Sequence, residues 1–159
     1  MDKYKKQLGF TVIEFLIVMV IILILASISI IALNGQRTKA RDAKRISDIR
    51  QIRTALEFYF SDEGEYPVTQ EPLALGVTGV QKLCAKDEGG FVPIDTICNA
   101  DSIYMAQVPK DPLPDQQFVY TGAIEGYSIM FITEKESSLG LPGTYYAHSE
   151  SIDQIPENK

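Results

Sequence analysis

One carboxylate is notable for its position in the chain. Glu14 lies inside a 24-residue stretch, Phe10 to Leu33, that is otherwise almost entirely apolar. An ionised carboxylate in lipid costs about 2.5–3.5 kcal/mol on insertion scales. Such a group either needs a cationic partner or lies about one turn inside the interface and reaches outward to water. The residues alone are compatible with both interpretations.

Two thiols are the second candidate for chemistry. Cys84 and Cys98 are the only cysteines of the chain. In an oxidising compartment they should form a disulfide. Closing a loop of about 15 residues contributes about 3 kcal/mol in the chain-entropy model. The alternative is a pair of reduced, buried thiols.

The remaining residues show no arrangement typical of catalysis. The single histidine, His148, is near the C-terminus among polar residues and is expected to be a surface or partly satisfied side chain. With one His, two Cys and no Trp, a His-rich metal site or a disulfide-dense miniprotein is excluded. We therefore predict no enzyme and no cofactor.

The apolar stretch at residues 10–33 is long enough to cross a bilayer. As a helix it rises about 36 Å, against a hydrocarbon core of roughly 30 Å. A cleaved secretory signal peptide fits poorly, because the run is too long and has no clear Ala-x-Ala site. A plain signal anchor, which stays in the membrane uncut, is the second interpretation of these residues.

An amphipathic stem helix is predicted for residues 34–63. Its apolar residues recur at helical spacing along one face, and Gly64 and Pro67 favour an end near Asp62. The apolar face comprises Ile46, Ile49, Ile52, Leu56, Tyr59 and Phe60.

The rest of the chain, residues 64–159, is predicted to form an α+β head against this stem. Alternating apolar residues and turn signals indicate antiparallel strands. A short helix around Leu73 to Leu83 would give structure to a connection that is otherwise too long for a compact domain. The strands are expected at 103–108, 118–121, 127–133 and 145–148.

Charge divides by region. Residues 1–9 and 34–63 each carry a net charge of +2, whereas residues from Gly64 onward carry −9. The acidic head is therefore not expected to bind nucleic acid. The basic run on the stem is either a solvated helix face or a surface that pairs with acidic heads of adjacent subunits.

The leader carries a resemblance to a known family. The stretch KKQLGFTVIE, Lys5 to Glu14, followed by the apolar run, resembles the start of type IV pilins and pseudopilins. The resemblance implies that a prepilin peptidase removes the leader 1–9 between Gly9 and Phe10 and that Phe10 becomes N-methylated. The free amine of Phe10 in one subunit would then pair with Glu14 of a neighbour in a helical homo-oligomeric filament.

Residues 41–67 are also similar to pilin stems, and residues 103–133 resemble pilin heads more weakly. The implied fold is a long N-terminal helix, membrane-spanning in its first half and amphipathic in its second, packed on a small antiparallel β-sheet. The implied precursor is a single-pass inner-membrane protein with a cytoplasmic N-terminus and an extracytoplasmic head. The flanking basic residues, three before the span and seven after it, favour the opposite orientation, but the leader resemblance requires a cytoplasmic N-terminus.

The resemblance implies a structural subunit of a type IV pilus-like filament at the cell surface, assembled by pilus machinery in the membrane. The alternative within the class is a pseudopilin of a type II secretion or DNA-uptake system. The alternative of another class is a signal-anchored binding protein that never polymerises. Some pseudopilin heads bind calcium, but no EF-hand pattern is present and no metal site is predicted here. The carboxylates that could contribute ligands are Asp87, Glu88, Asp95, Asp101, Asp111 and Asp115.

Overall fold

The computed structural model describes the backbone of residues 11–156 and, within that range, the side chains of residues 11–27 and 35–156. The predicted leader 1–9 and the predicted cleavage and methylation sites, Gly9 and Phe10, lie outside the described residues. The chain divides into two compact units, residues 1–37 and 38–159, which are described separately.

The predicted long helix is present as α1, Val12–Glu63. It ends within one residue of the expected position, because Gly64 has a φ of +75° and donates its N–H to the Phe60 carbonyl at 2.9 Å. A residue with positive φ stops a helix, and glycine adopts that conformation without steric cost. Among the described residues, no helix has the length and apolar character needed to cross a membrane.

One face of the stem contributes six of the eighteen buried residues of the hydrophobic core in the described part of the chain. The apolar positions predicted from helical spacing are buried, except Phe60, which is exposed, and Ala55 joins them. They form one core with head residues such as Phe118, Ile129 and Phe131, all fully buried. Removing this apolar surface from water is the main driving force for docking the stem on the head. The buried stem residues are Ile46, Ile49, Ile52, Ala55, Leu56 and Tyr59.

The head contains two antiparallel sheets. The larger has the order β1-β5-β6-β7-β8, and the smaller has the order β3-β2-β4. In the larger sheet Tyr120 lies opposite Ile129, and Phe131 lies opposite Tyr145. The strands are β1 Leu73–Ala74, β2 Lys82–Cys84, β3 Phe91–Val92, β4 Ile103–Met105, β5 Val119–Gly122, β6 Tyr127–Thr133, β7 Gly143–Ala147 and β8 Ile152–Asp153.

The α+β prediction is confirmed, with two local corrections. The short helix expected around Leu73 to Leu83 is wrong, because β1 and β2 occupy its two ends and a turn joins them. The segment around the cysteines is not merely a connection, because β2 and β3 pair with each other and β2 also pairs with β4. These strands are two or three residues long, so their residues show no usable period.

Candidate functional site

The first turn of α1 holds Glu14 in place through its own chain. Thr11 donates its backbone N–H to Glu14 Oε2 at 2.9 Å and its hydroxyl to the same oxygen at 2.7 Å. In return, the Glu14 N–H donates to Thr11 Oγ1 at 3.3 Å. This is a capping box, in which two N–H groups at the start of a helix are satisfied reciprocally. The Thr-x-x-Glu spacing could have revealed the role of Thr11, which the sequence analysis missed.

The helix that follows Glu14 exposes apolar side chains on every side. The thirteen apolar side chains between Val12 and Leu25 are each 44–79% exposed. Because they are consecutive apart from Glu14, they surround the helix rather than form one stripe. An apolar surface of this kind calls for lipid or another protein chain as its environment.

In the second unit, a fully buried arginine joins the stem to two segments of the head. Arg45 uses all five of its guanidinium N–H donors. Its Nε and Nη2 donate to the two Asp111 carboxylate oxygens at 2.8 and 3.0 Å. Its Nη1 donates to Asp42 Oδ1 and Glu134 Oε1, both at 2.7 Å, and Nη2 also donates to Gln116 Oε1 at 3.0 Å.

The carboxylates around Arg45 have further partners of their own. Asp42 accepts the backbone N–H groups of Glu134, at 3.0 and 3.1 Å, and of Lys135, at 2.8 Å. Glu134 also accepts from Arg41, whose Nε donates to its Oε1 at 2.8 Å. The hydrogen bonds from Arg41 and then Arg45 lower the pKa of Glu134 to about 2. Burial alone lowers the pKa of Arg45, but its bonds to Asp111, Glu134 and Asp42 outweigh burial and raise it above the usual value.

The expected disulfide is present between Cys84 and Cys98, whose Cα atoms are 6.3 Å apart. Glu88 braces the loop that it closes, accepting from the Asn99 backbone N–H at 2.9 Å, the Asn99 side-chain amide at 2.7 Å and the Ser102 hydroxyl at 2.7 Å. The bond from the Asn99 backbone N–H is the main cause that lowers the pKa of Glu88. The disulfide therefore closes a segment that contains the two-residue strand β3.

The carboxylates considered for calcium do not converge on one another. Asp111 is buried, and both of its oxygens accept from Arg45. Within residues 11–156, the single group of three potential ligands is Cys84, Glu88 and Cys98. The two sulfurs are already joined to each other, so this donor set does not suit a metal ion while the disulfide is intact.

These features define a class of protein. The first part of α1 is apolar, is capped by Thr11 and carries Glu14. The same helix continues into a stem that packs on a small antiparallel head. This is the organisation of a pilin-like subunit. Two family models match it: residues 4–30 match the prokaryotic N-terminal methylation motif, and residues 32–140 match type II secretion system (T2SS), protein G. The chain belongs to the type II secretion system protein G family, whose members are pseudopilins.

Curated relatives carry the name type II secretion system core protein G. The relative from Klebsiella michiganensis is 33% identical over 141 residues, which cover 88% of this chain and 89% of that protein. The relative from Vibrio cholerae serotype O1 is 34% identical over 125 residues, 77% of each chain. The relative from Escherichia coli K12 is 43% identical over 107 residues, 67% of each chain. No solved structure matches this chain.

Proposed function

We propose that this chain is a pseudopilin, a non-catalytic structural subunit of the filament of a type II secretion system. The observation that carries the proposal is the order of the two matches, a methylation motif over residues 4–30 followed directly by the protein G family over residues 32–140. The sequence alone favoured a pilus-like filament and kept the secretion pseudopilin as the alternative. The protein G relatives favour that alternative.

The precursor has a defined topology in this proposal. Residues 10–33 lie in the inner membrane, the N-terminus is cytoplasmic and the head is extracytoplasmic. The Cys84–Cys98 disulfide supports an extracytoplasmic head, because disulfides persist in oxidising compartments. The prepilin peptidase cuts between Gly9 and Phe10, and Phe10 is methylated. The exposed apolar surface of α1 then exchanges lipid contacts for contacts with other subunits.

Glu14 directs that exchange. In the subunit, the capping box holds its carboxylate at the start of α1. In the filament, the cationic Phe10 amine of a neighbour approaches the same carboxylate, so that each charge satisfies the other in an apolar environment. A buried ion pair of this kind selects one register, because misaligned subunits leave both charges unpaired.

Replacing the acid with its neutral isostere tests this proposal. We expect Glu14→Gln to leave membrane insertion and leader removal unchanged and to abolish filament formation, because a partnerless buried charge costs about 3–5 kcal/mol. The measurement compares sheared or cross-linked filaments with the membrane-bound pool by immunoblotting. Glu125→Gln, at an exposed position of the head, is the matched control. A normal filament yield from Glu14→Gln would count against the proposal.

Two further outcomes separate the alternatives. Two observations together would favour a pilus subunit. The unaltered strain would carry long filaments on its surface, and the strain without the gene would secrete proteins normally. Full-length chains that never cross-link to one another would favour a signal-anchored binding protein. The proposed pseudopilin instead predicts a secretion defect when the gene is deleted.

A further inference from the structure

The two sulfurs of the Cys84–Cys98 disulfide lie beside the carboxylate of Glu88. One donor atom from each of these three side chains lies within 4.8 Å of the other two. Cys84 is fully buried, whereas Glu88 and Cys98 are partly exposed. While the disulfide is intact, neither sulfur is a thiolate, which is the form of cysteine that binds metals. Reduction of the disulfide would change the donor set at this position.

Glu88 is already held in one orientation. Its Oε1 accepts from both the backbone N–H and the side-chain amide of Asn99, and within residues 11–156 its Oε2 accepts one bond, from the hydroxyl of Ser102 at 2.7 Å. A carboxylate offers about four lone-pair sites, so Oε2 can take one more partner. Hydrogen bonds of this kind, made to the outer side of a ligand, are what orients carboxylates at metal sites.

The contacts that bring the two cysteines together do not depend on the S–S bond. The Ala85 N–H donates to the Ser102 carbonyl at 2.9 Å, and Lys82 Nζ donates to the Thr96 carbonyl at 2.6 Å. The three bonds to Glu88 hold the same two segments together. The reduced thiols should therefore stay close to each other and to the carboxylate.

His148, the single histidine of the chain, lies outside this cluster. The sequence suggested a surface or partly satisfied side chain, but His148 is fully buried. Its Nδ1 lies 3.2 Å from the Tyr127 carbonyl oxygen, and its Nε2 lies 3.0 Å from the Ile155 carbonyl oxygen. A metal ion bound by the cluster would have three protein ligands, and a water molecule would complete a coordination of four.

We propose that the reduced chain binds one zinc ion through the thiolates of Cys84 and Cys98 and the carboxylate of Glu88. Two thiolates and one carboxylate oxygen are a donor set that Zn²⁺ accepts in proteins. The disulfide and the zinc site are therefore alternative states of the same three side chains. In a chain that is not yet oxidised, the ion holds this segment in its folded arrangement, as the disulfide does afterwards. The site does not depend on the proposed secretion role.

The exchange between the two states balances. A phosphine supplies two electrons that break the S–S bond, one water molecule gives its two protons to the sulfurs, and the oxygen of that water ends on phosphorus. Zinc binding then displaces both thiol protons. An oxidising disulfide takes two electrons back from the two sulfurs, which re-forms the Cys84–Cys98 bond and releases the ion.

Zinc binding to the full-length protein in detergent micelles tests the proposal. Protein reduced with tris(2-carboxyethyl)phosphine and protein kept oxidised are each titrated with Zn²⁺ against a chromophoric chelator. We expect one zinc ion per reduced chain and none in the oxidised chain. Co²⁺ in place of zinc should give the thiolate-to-metal charge-transfer absorption of a sulfur-bound ion. No binding to the reduced chain, or equal binding to both forms, would overturn the proposal.

Three variants assign the ligands. Cys84→Ala with Cys98→Ala should abolish zinc binding under reducing conditions. Glu88→Gln should weaken the zinc affinity of the reduced chain by on the order of tenfold or more. The matched control is Asp87→Asn, which removes the same charge from an exposed position of the same short turn and should keep the wild-type affinity. Equal affinities of Glu88→Gln and Asp87→Asn would contradict the proposed site.

The folded state of the reduced chain is followed in parallel by circular dichroism. If the reduced head unfolds, one equivalent of zinc should restore the spectrum of the oxidised protein, because binding to a preformed arrangement stabilises that arrangement. An unfolded reduced chain that zinc does not refold would also overturn the proposal.

Discussion

At the scale of single residues, the arginines of the stem are unequal although the sequence presents them as one basic run. Arg45 is fully buried and makes five hydrogen bonds, whereas Arg50 on the same helix is exposed. Helical spacing places both on α1 but does not reveal which one meets carboxylates from the head. Asp111 and Glu134 are 66 and 89 residues away from Arg45 along the chain, so only the tertiary fold brings them together.

Removing the Arg45 guanidinium should be severely destabilising. We expect Arg45→Met to lower the free energy of unfolding of the head by about 3–5 kcal/mol, because Asp42 and Asp111 remain buried without their cation. The measurement is urea unfolding of the full chain in detergent, followed by tyrosine fluorescence. Arg50→Met is the control and should stay within about 0.5 kcal/mol of the wild type. Equal destabilisation by both variants would contradict the role assigned to Arg45.

The Glu134 carboxylate predicts a pH dependence with a definite sign. Arg41 and Arg45 lower its pKa from 4.5 to about 2. A lowered folded-state pKa contributes stability above the unfolded value, and this contribution is lost as pH falls from 4.5 towards 2. Glu134→Gln should therefore flatten the acid limb of the stability curve in this window, measured by thermal unfolding at each pH. If the stability of Glu134→Gln fell as steeply with decreasing pH as that of the wild type, carboxylates other than Glu134 would account for the acid sensitivity.

At the scale of elements, the helix and the longer strands could be predicted, whereas the short strands could not. β6 is predicted at its observed bounds because it has seven residues rich in apolar and aromatic side chains and follows the turn signals Gly122 and Gly126. β1 has two residues and β2 has three, so neither shows a period. A short helix was expected in this region only because a long connection without structure is improbable, but Gly76 and Gly79 adopt positive φ and turn the chain instead.

The Cys84–Cys98 disulfide closes the loop that contains the two-residue strand β3. We expect Cys84→Ala with Cys98→Ala to lower the free energy of unfolding by about 3 kcal/mol, because the unfolded chain regains the freedom of a loop of about 15 residues. Urea midpoints of the double variant and of the wild type, both without reductant, measure the difference. Wild-type protein unfolded in dithiothreitol should match the double variant. Identical midpoints for oxidised and reduced wild type would contradict this role.

At the scale of the whole molecule, the sequence divides into parts with different environments. The acidic head and amphipathic stem form one compact unit with a shared core, which hydrophobic spacing predicted. The apolar side chains between Val12 and Leu25 are exposed, and the pattern of apolar residues in α1 does not say whether lipid or other subunits cover them. The match to the protein G family supports the proposal that other subunits cover this surface in a filament.

The central claim is that this chain is a processed subunit that leaves the membrane for a filament. Intact-mass spectrometry of the protein purified from its native host, without reductant, tests it most directly. We predict the mass of a 150-residue chain, 159 residues less the leader of nine, that begins at Phe10, carries one added methyl group and lacks two hydrogens at the disulfide. A mass of the full 159-residue chain, beginning at Met1 and unmethylated, would contradict the account.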